Sequence, residues 1–134
     1  MREKLFLITG IILITLIMTA CPDDDDKHCI FLQNNSELNV VAYIGGDMPG
    51  EPTYPDISLP SKNLTKPVPK DGEMQYTFHK NIKDDKICVF FLDQDTITKY
   101  GWDKVRDDYM ILKRLDVDEE YLRRKEINWT LRYP

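Results

Sequence analysis

Hydrophobic and polar positions divide the chain into three unequal parts. Arg2 and Lys4 precede an uncharged, mostly apolar run from Leu5 to Ala20. Asp23 to Asp26 then place four carboxylates side by side. Beyond Lys27 the pattern changes to short apolar runs. Cys29–Leu32 and Leu38–Ile44 read as strands rich in Val and Ile. Asn34-Asn35-Ser36 between them bond readily to their own backbone, which predicts a hairpin. Met74–Phe78 alternates and predicts a half-buried strand, whereas Ile87–Leu92 is continuously apolar and predicts a central strand covered on both faces. Thr98–Asp108 predicts a short helix with Trp102 and Val105 inward, and Met110–Leu115 a further strand. Asp118 is placed to N-cap a helix over Glu119–Lys125, with acids in its first turn and bases in its last, as the helix dipole prefers. Asn128–Tyr133 predicts a terminal strand.

Residues 47–72 break this rhythm. Six of the chain's eight prolines lie here: Pro49, Pro52, Pro55, Pro60, Pro67 and Pro69. Proline fixes φ and removes a backbone donor, so little ladder can form. Tyr54, Ile57, Leu59, Leu64 and Val68 nevertheless recur, which predicts an ordered surface loop pinned to the core. Together these elements predict one α+β domain over residues 28–134, a mostly antiparallel β-sheet with two short helices on one face. About 107 residues suffice for a single modest core.

The first part changes the picture most. A basic start, an apolar stretch short of the roughly 20 residues a spanning helix needs, and the small pair Thr19-Ala20 make residues 1–20 a secretory signal. Met18-Thr19-Ala20-Cys21 resembles a lipobox, with Met in place of the usual Leu. Cys21 is therefore expected to carry lipid and to hold the chain on a membrane, two or more acyl chains being enough for stable anchoring. Residues 21–27 form an acidic tether that buries nothing. Asp23, Asp24, Asp25 and Asp26 resemble the surface-export signal of Bacteroidetes lipoproteins. The expected location is the outer membrane, lipid-anchored and facing the cell exterior. The net charge of −5 and the lack of a basic patch argue against nucleic acid.

Candidate chemistry is sparse, and no cofactor is expected. Cys29 and Cys88 remain after lipidation, as a candidate disulfide or as two buried thiols. Asp93 and Asp95, with Asp103 nearby, are hard oxygen donors and a candidate metal site, but no loop of calcium-binding spacing surrounds them. His28 and His79 are the only histidines, and neither sits in a hydrolase motif. Asp95-Thr96-Ile97 resembles a Bacteroidetes O-glycosylation acceptor, with Thr96 as the candidate site. Tyr54, Asp56, Tyr100 and Trp102 are candidates for a binding surface, since glycan and protein partners both use flat amphipathic rings.

Phe31–Ser36, Tyr54–Leu59, Val89–Asp93, Asp108–Arg114 and Asn128–Pro134 together resemble a family of small Bacteroidetes lipoproteins of unknown function. The resemblance implies a surface lipoprotein and supplies no catalytic residues; Cys29 and Cys88 are not part of its pattern. The expectation is a non-enzymatic binding or accessory module, with a glycan or a surface protein as partner. The alternatives are a structural or interaction subunit of a surface complex, or a small metal-dependent hydrolase.

Overall fold

The computed structural model describes residues 29–79, 82 and 85–134. In chain order it holds β1 (Cys29–Asn34), β2 (Val40–Gly45), β3 (Lys66–Pro67), β4 (Glu73–Thr77), β5 (Ile87–Asp93), α1 (Gln94–Tyr100), α2 (Trp102–Asp107), β6 (Lys113–Val117), α3 (Glu119–Arg123) and β7 (Thr130–Tyr133). The strands form two sheets, β4-β1-β7 and β3-β2-β5-β6. Among the described residues every strand pairing is antiparallel except β1 with β7, and an isolated bridge of Asn34 to Lys70 is also parallel. The fold is α+β with mostly antiparallel sheet, as the pattern predicts.

β5 is the middle of the molecule, and its alternation explains its continuous apolar run. Ile87, Val89 and Phe91 face the β4-β1-β7 sheet and join Ile30, Leu32 and Leu131 in the core between the sheets. Cys88, Phe90 and Leu92 face the other way and join Ile57, Leu59, Ile97 and Val105. β2 divides likewise, with Val40, Ala42 and Ile44 to one side and Val41 and Tyr43 to the other. The four-stranded sheet is thus the central layer, between the three-stranded sheet and a cover made by α1, α2 and the proline-rich segment. Each fully buried Val, Leu, Ile or Phe contributes about 1.5–3 kcal/mol, so β5 stabilises the layers on both of its faces.

The predicted hairpin of β1 and β2 is not formed. Asn34 does make the expected turn, its Oδ1 accepting from the Ser36 amide at 3.0 Å and its Nδ2 donating to the Leu38 carbonyl at 2.9 Å. The turn carries the chain from one sheet to the other, and β1 pairs with β4 and β7 instead. The single predicted helix over Thr98–Asp108 is two, because Gly101 at φ 83 interrupts it. The strand expected at Met110–Leu115 lies at Lys113–Val117, where it pairs with β5. Asp118 caps α3 as predicted, its carboxylate accepting from the Tyr121 amide at 2.8 Å. α1 and α2 share the outer face of the central sheet, whereas Leu122 of α3 enters the core between the sheets.

Candidate functional site

Side chains hold the proline-rich segment by its carbonyl oxygens. Trp102 Nε1 donates to Pro60 O at 2.8 Å, Arg106 Nη1 to Ser61 O at 3.3 Å and Arg114 Nη1 to Ile57 O at 3.4 Å. This is the pinning the pattern predicts. Prolines supply no backbone donor, so an ordered Pro-rich stretch must be held through its acceptors and its apolar side chains. Ile57 and Leu59 are buried against the central sheet. Gly46 marks how close the approach is, since a Cβ there would meet Ile57 Cδ1 at 2.5 Å.

The start of the segment folds around two carboxylates that sequence reasoning did not single out. Glu51 Oε2 accepts from the amides of Gly46, Asp47 and Met48 at 2.7, 3.1 and 3.2 Å, and Oε1 accepts from the Tyr43 hydroxyl at 3.0 Å. Asp47, 1% exposed, accepts from the Tyr76 hydroxyl at 2.8 Å and from the His79 amide. Burial, followed by the charge of Glu51, raises the Tyr43 phenol above its ordinary range. Burial, followed by the bond to Asp47, does the same for Tyr76. Both tyrosines are therefore neutral donors. An isolated Asp and Glu among prolines and glycines carry no motif, and their role follows from tertiary placement alone.

A cavity of about 240 Å³ opens beside this network, bordered by Tyr43, Ile44, Met48, Glu51, Leu64, Lys66, Tyr76 and His79. Met48 and Leu64, both strongly exposed, stand at its mouth. The Lys66 ammonium lies 5.0 Å above the Tyr76 ring, and the His79 ring meets the edge of the same ring. A wider, open cleft of about 850 Å³ lies by α3 and is lined by Tyr54, Lys86, Asp118, Arg123 and acidic neighbours. Its charges largely satisfy one another: Lys86 pairs with Asp118 at 3.4 Å and Arg123 with Glu119 at 2.6 Å.

The sequence-predicted residues do not converge. Of the four candidate binding residues, only Tyr54 borders the open cleft, where Lys86 covers its ring at 5.3 Å. Trp102 is spent on Pro60 and on the outer core. Tyr100 is exposed under Lys99, and Asp56 is exposed in the turn after the cis Tyr54–Pro55 bond.

Asp93, proposed as a metal ligand, caps α1 and accepts from the Asp95 and Thr96 amides, both at 3.2 Å. Asp95 accepts from Asn39 Nδ2 at 3.0 Å, and Asp103 pairs with Arg106 at 3.1 Å. Among the described residues no three His, Cys, Asp or Glu side chains gather as a metal site. His79 is tied to Asp47, beyond the Gly45 end of β2, whereas Asp93 pairs with Val40 at the opposite end. These groups therefore do not form an acid–base pair. The Thr96 hydroxyl donates to Asp93 Oδ2 at 2.8 Å, inside the helix cap, so as a glycosylation acceptor it is already engaged.

The candidate bridge between Cys29 and Cys88 is not formed. Cys29 is disulfide-bonded, but Cys88 is a free, buried thiol. The two lie in different sheets, and Cys88 points into the outer core, away from β1. Its thiol donates to Asp116 Oδ1 at 3.0 Å and accepts from Arg114 Nη2 at 3.2 Å. Burial, then the bond to Asp116, push it up to about 12. Cys21, Asp23, Asp24, Asp25, Asp26 and His28 lie outside the described residues. Comparison of the chain with family models, with curated proteins and with solved structures found no match.

Proposed function

We propose that this chain is a lipoprotein held at the outer membrane through Cys21 and facing the exterior, where its domain binds a partner rather than catalysing a reaction. The anchor rests on the order of Arg2 and Lys4, the apolar run and Met18-Thr19-Ala20-Cys21, followed by the acidic tether. The observation that carries the binding half is the state of residues 47–72. A long segment whose only strand is the two-residue β3 is held by Trp102, Arg106, Arg114 and Glu51, and it contributes Met48, Glu51, Leu64 and Lys66 to the cavity at Ile44. Ordered long loops of this kind are the usual carriers of recognition.

The test of the anchor is the mass of the mature N-terminal peptide from the membrane fraction of a Gram-negative host. It should begin at Cys21 and carry a diacylglycerol thioether. One sulfur cannot bear both that group and a disulfide. An unlipidated chain with the Cys21 sulfur in a disulfide would overturn the anchor reading.

A further inference from the structure

β6 ends the central sheet on one side, and no described strand lies beyond it. Phe91 O accepts from the Leu112 amide at 2.9 Å, so Phe91 turns its backbone groups toward β6. Alternate residues of a strand turn theirs the same way, which makes Val89 and Ile87 the bonded partners of Leu115 and Val117. The N–H and C=O of Arg114 and Asp116 therefore point outward, and among the described residues no bond reaches these four groups. Two other edges are blunted. β3 ends on Pro67, which has no donor, and Arg132 O of β7 accepts from Lys113 Nζ at 3.2 Å.

We propose that this edge pairs with the same edge of a second copy of the chain, antiparallel and centred on Leu115, so that the two central sheets become one. The inference goes beyond the binding reading above and does not depend on it. Charge selects both the occupant and the register. The outward groups of two copies meet only when the two-fold axis passes at Arg114, Leu115 or Asp116. An axis at Arg114 sets two arginines opposite each other, and one at Asp116 sets two aspartates opposite each other. An axis at Leu115 sets each Arg114 opposite Asp116 of the other copy, twice over, and opposite charges across a ladder attract. The arrangement forms four backbone bonds, since each Arg114 and facing Asp116 exchange both of theirs. Arg114 Nε donates to Asp116 Oδ1 of its own strand at 2.7 Å, and Asp116 Oδ2 has no described bond, which leaves it for the second copy's guanidinium. Leu115, half-buried on the other face, meets its own copy. A symmetric contact of one strand is at the small end of interface sizes, so the pairing should be reversible.

The experiment follows the full-length chain in detergent by sedimentation and by hydrogen exchange. The wild type should pass from monomer to dimer as its concentration rises, and the amides of Arg114 and Asp116 should become protected in step. Arg114→Asp and Asp116→Arg each remove the pair within the strand and set like charges across the axis. Each variant alone should therefore self-associate about tenfold more weakly or worse. Mixed in equal amounts, the two should recover a dimer, because the two carboxylates of one then face the two guanidinium groups of the other. That recovery cannot come from within a single chain. The wild-type exchange needs no variant and decides the matter even where a substitution unfolds the domain. A wild type that stays monomeric at millimolar concentration, amides of Arg114 and Asp116 whose exchange ignores concentration, or a mixture that associates no better than its components would each overturn the proposal.

Discussion

The indole of Trp102 and the carbonyl of Pro60, joined at 2.8 Å, fasten the proline-rich cover to α2. Trp102→Phe keeps most of the ring and removes the donor, leaving a half-buried acceptor unpaired. The expected cost is about 1–2 kcal/mol in urea unfolding. Limited proteolysis should cut faster between residues 52 and 63, and the pairing of β2 with β5 should stay protected in hydrogen exchange.

Glu51 is the keystone of the turn after β2. Glu51→Ala strips the described partner from three backbone amides and from the Tyr43 hydroxyl at once. A loss of about 2–4 kcal/mol is expected, more than a surface substitution gives. The Tyr43 phenol, raised by burial and then by the Glu51 charge, should titrate lower in the variant, read by ultraviolet absorbance. An unchanged titration together with unchanged stability would remove the turn from the account.

Cys88 should be inert in the native protein. With its thiol pushed up to about 12, almost no thiolate exists at neutral pH, and the side chain is fully buried. Iodoacetamide at pH 7.5 should leave it unmodified until denaturant is added. Rapid native alkylation would mean that the outer core opens readily.

Acid should weaken the α3 end through Asp118. The Tyr121 amide, then Lys86, hold its carboxyl below the ordinary aspartate value of about 3.9. A depressed folded-state value contributes stability above the unfolded value and loses it as pH falls through the folded one. The wild-type protein should therefore lose stability below about pH 4. Asp118→Asn, which still caps, should flatten part of that fall, while Asp118→Ala should cost about 1 kcal/mol at neutral pH. Identical pH curves for wild type and Asp118→Asn would contradict the assignment.

Legibility in the sequence followed how local each cause is. Ile87–Leu92 announced a doubly covered strand because one continuous run encodes both faces, and Asp118 announced its cap because the cap is three residues from its partner. The pairing of β1 was not legible. Asn34 predicts a turn but not whether the strands it joins share a sheet, and the partners Met74 and Leu131 are remote in sequence. The candidate site followed the same rule. Trp102 and Tyr54 were visible as aromatics, but their partners Pro60 and Lys86 were not. Asp47, Glu51 and Ile44 became informative only when the fold brought Tyr76, Tyr43 and Leu64 beside them.

Mass spectrometry of the chain's N-terminus from host outer membranes, combined with protease shaving of intact cells, decides whether Cys21 anchors the domain at the surface. The mature chain should start at a diacylglyceryl Cys21, and the domain should be lost on shaving. A chain that retains Met1, or an unmodified Cys21 in a soluble fraction, would contradict the anchor.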